Sequence, residues 1–243
     1  MKYWFYDLAK LILWVVFRVG FGLEVTGHER IPRRGGAIFA SNHVSYLDPP
    51  VVGVACPRRL RFMARASLFR QPVLGVLLRM LRVMPLERGE QDVGAIRGAV
   101  SRLHRGEAVA IFPEGGRQLS GRLGAARRGV GLLAVAAQVP IIPVLVQGTF
   151  EALPPRTRGL RRAKIRVAFG HPISYTEHLS QSQEPQKHPG GVESALPDEG
   201  RETHGDQQRR LEHQRLAEAV TREWHRLIAE QGTHPSPQQR RWT

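Results

Sequence analysis

Cysteine is almost absent from this 243-residue chain: Cys56 stands alone, so no intramolecular disulfide can form. A disulfide-stapled miniature scaffold is thereby excluded, and the length is enough to bury a real core within one sizeable domain. With no secretory signal and cleavage site near the start, the single cysteine fits a reducing interior compartment. Long apolar runs are also missing. In the most apolar stretch, MKYWFYDLAKLILWVVFRVGFGLEV, the longest charge-free run extends only from Leu11 to Phe17. That is far short of the roughly 20 residues of a membrane span. No Gly-x-Ser-x-Gly nucleophile elbow occurs, and none of the ten histidines lies in a His-Glu-x-x-His or comparable metal-ligand spacing. These gaps argue against serine-nucleophile and zinc chemistry, and no metal site is expected.

Lysine is scarce as well, confined to positions 2, 10, 164 and 187, yet the formal charge is +15 because arginine is abundant. Such a balance selects anionic partners: nucleic acid, a phosphorylated small molecule or an acidic membrane face. The arginines are spread through RRGG, RRLRF, ARRG, RTRGLRRAK and the C-terminus, and no zinc-finger, RRM or KH pattern accompanies them. A nucleic-acid partner is therefore not expected. A non-catalytic basic protein that binds anionic membranes or nucleic acid is the rival of another class.

What is present reads as an α/β chain. In residues 1–22, Trp4, Phe5, Leu8, Leu11, Ile12, Val15 and Val19 recur at helical spacing beside Lys2, Lys10 and Arg18. That pattern suits an amphipathic helix lying in a membrane interface; a terminal helix packed on the core is the alternative. From 23 to 179, short apolar runs alternate with helical patterns, which predicts a domain with a mixed central sheet flanked by helices. Strands are expected near Gly36–Ala40, Leu60–Ala64, Val83–Leu86, Ala108–Phe112, Ile141–Val146 and Ile165–Phe169. Helices are expected over Leu68–Leu81, Val93–Leu103 and Ala125–Ala137. Residues 180–208, rich in Gln, Pro, Ser and Glu, have the composition of a disordered linker. Leu211, Leu216, Val220, Trp224, Leu227 and Ile228 define an amphipathic helix over 209–231 that packs back on the domain, and 232–243 is a frayed tail.

The chemistry concentrates in SNHVSYLDPP. On a continuous helix His43 and Asp48 would stand about 140° apart. A turn entered at Ser41-Asn42 and halted by Pro49-Pro50 instead folds Asp48 back towards His43. The carboxylate would then fix the imidazole's tautomer and free its other nitrogen to take a proton. Spacing alone is weak, because His-x4-Asp is common by chance. In AVAIFPEGGRQ, a strand pattern runs into Glu114, Gly115, Gly116 and Arg117: a tight turn with a planar cation suited to phosphate. VMPLERG delivers Arg88 to a strand end, where α/β sheets place ligand groups. VPIIPVLVQG brackets an apolar strand with prolines and reads as a wall.

NHVSYLD, VMPLERG, FPEGGR and VPIIPV stand in the order and roughly the spacing of the four sequence blocks of the glycerolipid acyltransferase family, which the chain resembles from about Leu23 to Ile173. Its third block resembles the lysophosphatidate branch more than the glycerol-3-phosphate branch. The resemblance implies transfer of a fatty acyl group from a thioester, acyl-CoA or acyl carrier protein as co-substrate, to the free hydroxyl of 1-acyl-glycerol-3-phosphate. Phosphatidate would be the product, and no other cofactor is implied. It makes His43 the general base and Asp48 its orienting partner, with Arg88, Glu114, Gly115 and Arg117 holding the acceptor. Peripheral or monotopic attachment to the cytoplasmic face of the cell membrane follows as an expectation. The third block usually reads Glu-Gly-Thr-Arg-Ser; here Gly116 and Gln118 replace its two hydroxyl residues, which leaves a different lysolipid acceptor open.

Overall fold

The computed structural model describes residues 4–86, 93–155, 157, 159–176 and 204–232. Arg88, residues 180–203 of the expected linker and residues 233–243 lie outside the described residues.

The apolar runs condense into a seven-stranded sheet. Its strands are β1 (Glu24–Thr26), β2 (Ala37–Ser41), β3 (Leu60–Arg65), β4 (Met84–Leu86), β5 (Ala108–Ile111), β6 (Ile141–Gln147) and β7 (Arg166–Phe169). The spatial order is β1-β7-β6-β2-β5-β3-β4. Strands β2 to β6 run parallel, β7 is antiparallel to β6, and β1 is parallel to β7, so the sheet is mixed as expected. The central strands β2 and β6 are buried nearly throughout, which is why they read as unbroken apolar runs rather than alternating ones.

The helices are α1 (Trp4–Gly20), α2 (Asp48–Ala55), α3 (Pro72–Met80), α4 (Val93–His104), α5 (Gly129–Ala137), α6 (Thr149–Ala152) and α7 (His204–Gly232). One core holds Val100 and Leu103 of α4, Val130 and Leu133 of α5, and Leu216, Val220 and Trp224 of α7. The other holds Phe17 of α1 with Val51 and Val52 of α2, against Phe39, Val144 and Phe169. Right-handed crossovers explain the division: β2→β3 and β3→β4 move the same way across the sheet, and β4→β5 reverses. Helices α2 and α3 thus share the α1 face, with α4 behind.

Several expectations are corrected. Pro49 and Pro50 do not halt the chain: they lie in the first turn of α2, where backbone N–H groups have no intrahelical partner and proline costs nothing. Strand β1 was not foreseen; Glu-Val-Thr is too short to show a period. A 3-10 turn, Ala66–Arg70, precedes α3, and α5 begins at Gly129 rather than Ala125. Residues 204–208, expected in the linker, form the first turns of α7. That helix packs back on the domain as expected, burying Trp224 completely while its indole Nε1–H donates to the Ala40 carbonyl at 3.2 Å.

Candidate active site

Three parallel strands, β2, β5 and β3, end together on one edge of the sheet; the loops after β2 and β5 carry His43 and Glu114, and Arg65 is the last residue of β3. Open α/β sheets bind ligands at this edge. After β2 the chain does not leave the sheet at once. The Asn42 side chain mimics one more ladder residue, with Nδ2–H donating to the Val146 carbonyl at 3.0 Å and Oδ1 accepting the Val146 N–H at 2.7 Å. That pairing fixes where the next residue, His43, emerges.

The turn predicted between His43 and Asp48 is present and is held by the carboxylate itself. Asp48 Oδ2 accepts the N–H groups of Val44 and Ser45, each at 2.7 Å, and faces His43 Nδ1 at 2.9 Å. Its Oδ1 accepts the Thr149 hydroxyl at 2.6 Å. The Asp48 side chain is 0% exposed, so these donors replace water entirely. Because the carboxylate accepts throughout, the network assigns the proton to Nδ1 of His43 and leaves Nε2 with its lone pair. The Ser45 hydroxyl completes the turn, accepting the Leu47 N–H and donating to the Leu153 carbonyl.

The glycine turn grips the same histidine. Glu114 Oε2 accepts the His43 N–H at 2.9 Å, Oε1 accepts the Gly124 N–H at 2.9 Å, and the Gln118 N–H donates to the His43 carbonyl at 2.8 Å. Burial pushes the Glu114 carboxyl above the usual carboxylate range, and the Gly124 and His43 amides partly offset this. Both of its oxygens are occupied by backbone amides, so its geometry is that of a brace under the site. The His43 ring lies on Phe112, with centroids 4.2 Å apart and planes 27° from parallel. Rotation about its side-chain bonds is thereby restricted.

Arg117 spreads its guanidinium over the Tyr46 ring, 3.5 Å from the centroid, joining the histidine turn to the glycine turn. Gly115 has φ +77°, and a β-carbon there would stand 2.9 Å from the Arg127 guanidinium; one at Gly116 would lie 3.9 Å from Arg65 Nη2. Gly115 thus lets Arg127 approach the backbone beside Arg117, while Arg65 reaches Gly116 at ordinary contact distance. The structure brings together His43, Asp48, Glu114, Gly115 and Arg117, while Arg88 lies outside the described residues. Sequence reasoning missed Arg65, Arg127, Thr149, Asn42 and Tyr46. Arg65 alone carried a usable signal, because it directly follows the strand expected over Leu60–Ala64.

The chain is similar to several known proteins. The chloroplast 1-acyl-sn-glycerol-3-phosphate acyltransferase of Arabidopsis thaliana is 28% identical over 68% of this chain, which spans only about half of that relative's length, 48%. The 1-acyl-sn-glycerol-3-phosphate acyltransferase of Bacillus subtilis is 26% identical over 73% of this chain and 88% of its own. The crystal structure of the 1-acyl-sn-glycerophosphate acyltransferase of Thermotoga maritima superposes with a TM-score of 0.58 at 20% identity. It covers 89% of this chain and 81% of its own, and shares the fold. The sequence profile of the Acyltransferase family matches residues 22–147, more than half of the chain and the whole span from β1 through β6, so the chain belongs to that family.

Proposed function

We propose that the protein transfers a fatty acyl group from an acyl thioester, acyl-CoA or acyl carrier protein, to the free hydroxyl of 1-acyl-glycerol-3-phosphate, forming phosphatidate. One observation carries this reading: a histidine whose Nδ1 is held by a buried aspartate, with Nε2 free, beside a glycine turn flanked by arginines. His43 Nε2 removes the proton of the acceptor hydroxyl as that oxygen attacks the thioester carbonyl. The carbon–sulfur bond then breaks, and the imidazolium returns its proton to the departing thiolate. Asp48 holds the ring in the required tautomer and faces the transient positive charge at 2.9 Å. No covalent acyl-enzyme is needed. Arg117, Arg65 and Arg127, with Arg88, supply cations for the acceptor's phosphate, which arginine forks recognise in two-point fashion.

The acceptor is a lipid, and the apolar stripe read from the first 22 residues supports attachment at a membrane surface. Trp4, Leu8, Leu11, Ile12, Val15 and Val19 are exposed on α1, and only Phe17 is buried. No helix among the described residues is long and apolar enough to cross a membrane, so the attachment we propose is peripheral, on the cytoplasmic face. A second acceptor, another lysolipid, is favoured by Gly116 and Gln118. The Gln118 side-chain amide turns towards the Gly116 carbonyl, 3.4 Å away, where a hydroxyl-bearing pair would otherwise face the headgroup.

Purified protein incubated with labelled acyl donors and a panel of lysolipids should convert lysophosphatidate to phosphatidate, read by product mass. His43→Ala should lower turnover by about 10³-fold or more without changing the melting temperature. Full acyl transfer by folded His43→Ala would sink the mechanism, and product from a different lysolipid alone would reassign the acceptor.

A further inference from the structure

We propose that α3 is a second bilayer-docking element, forming with α1 one surface that seats the enzyme on an anionic membrane. Val73, Val76, Leu77 and Met80 occur at i, i+3, i+4 and i+7, the stripe by which an amphipathic helix normally packs on a core. Here that stripe faces outward, with Val73 83% exposed and Val76 50%. The helix has no freedom to turn it inward. Gly75 is the buried residue of α3, and a β-carbon there would lie 2.2 Å from the Phe69 carbonyl oxygen. Only glycine permits that contact, so α3 is held against the preceding 3-10 turn with its apolar stripe turned away from it.

The two helices lie on one side of the sheet and border the same groove. A single groove between the start of α1 and the end of α3 is lined by Trp4, Arg59, Met80, Leu81 and Arg82. Two residues past α3, Arg82 has φ +55°, a left-handed conformation that favours glycine, while Val83 N–H closes back on the Leu78 carbonyl. A tryptophan and arginines around apolar side chains are what a water–lipid boundary selects. Arg70 and Arg79 are also exposed on this segment. With a chain charge of +15, an anionic bilayer is the complementary occupant. The 3-10 turn and α3 continue directly from β3, whose end carries Arg65 beside the glycine turn. A bilayer against α3 would therefore hold the mouth of the site at headgroup depth. The inference rests on the reading of the acceptor as a membrane lysolipid.

The test compares the full chain with Val73→Ser/Val76→Ser/Met80→Gln in co-sedimentation with phosphatidylcholine vesicles containing phosphatidylglycerol. Turnover of a water-soluble short-chain lysophosphatidate and acyl-CoA is measured alongside. The variant should partition at least about tenfold more weakly, with melting temperature and soluble turnover unchanged. Val73→Asp, at the most exposed position, serves if the triple variant does not fold. Wild-type partitioning by a folded variant overturns the inference. So does intact partitioning with turnover lost only for acyl carrier protein as donor, which would make this surface a dock for that acidic protein. A changed mass by light scattering would assign the surface to a second copy and overturn it equally. Absence of soluble turnover in the wild type would instead count against the catalytic reading and leave the vesicle comparison standing.

Discussion

The two faces of the sheet are finished to different standards. Behind it, α4, α5 and α7 close a continuous core in which Val220, Trp224 and Leu103 are inaccessible to solvent. In front, α2 is sealed, but α1 and α3 turn whole stripes of Trp, Leu, Ile and Val outward. Both faces are rich in apolar side chains, so hydrophobicity alone does not separate them. What separates them is whether the apolar side meets protein. The teaching is that an amphipathic pattern states that a stripe will be covered, without saying by what.

That contrast can be broken from either side. The largest effect belongs to the closed face: Trp224→Ala should cost about 3–5 kcal/mol in chemical denaturation, since it empties a fully buried indole site and removes the donor to Ala40. The closed face also contains one flaw with a pH signature. His213 of α7 is 6% exposed, and its Nε2 has no hydrogen-bond partner among the described residues. Burial first, then the charges of Arg128 and Arg209, push it down to about 4. The unfolded chain therefore binds a proton at a pH where the folded one does not. Stability is complete above the ordinary histidine value and falls with pH down to about 4, by up to a few kcal/mol. Thermal melts from neutral to acidic pH should show this decline, and His213→Met should flatten it. The smallest effect belongs to the open face: Leu11→Asn should shift stability by no more than about 0.5 kcal/mol, because the side chain is already in water. A destabilisation as large as that of Trp224→Ala would show the two faces to be alike.

The legible parts of this fold are those set by local order. β2, β5 and β6 announced themselves as apolar runs, α4 by its period, and the turn between His43 and Asp48 by two residues and their flanks. The prolines after Asp48 were read backwards because proline stops a helix from within but suits its first turn. Thr149 and Val146 could not be found at all: each meets its partner, Asp48 or Asn42, across more than a hundred residues of chain. Arg127 reaches the site with its N–H tied to the Pro113 carbonyl, while Thr221 of α7 anchors the adjacent Ala126. The outward stripe of α3 was visible as a period, but its direction depends on Gly75 against the Phe69 carbonyl.

His43 and the glycine loop are tied together by a series of backbone-directed bonds. His43 is tied to Glu114 and Gln118, Glu114 is tied to Gly124, and Ala126 is tied to Thr221. Between Gln118 and Gly124 lie Leu119 and Arg122, both exposed and neither contributing a bond to that series. Gly121, with φ +71° against the Phe150 ring, and Leu123, against the core, hold the loop's course, so Leu119 and Arg122 are the positions that can change while the imidazole stays where it is.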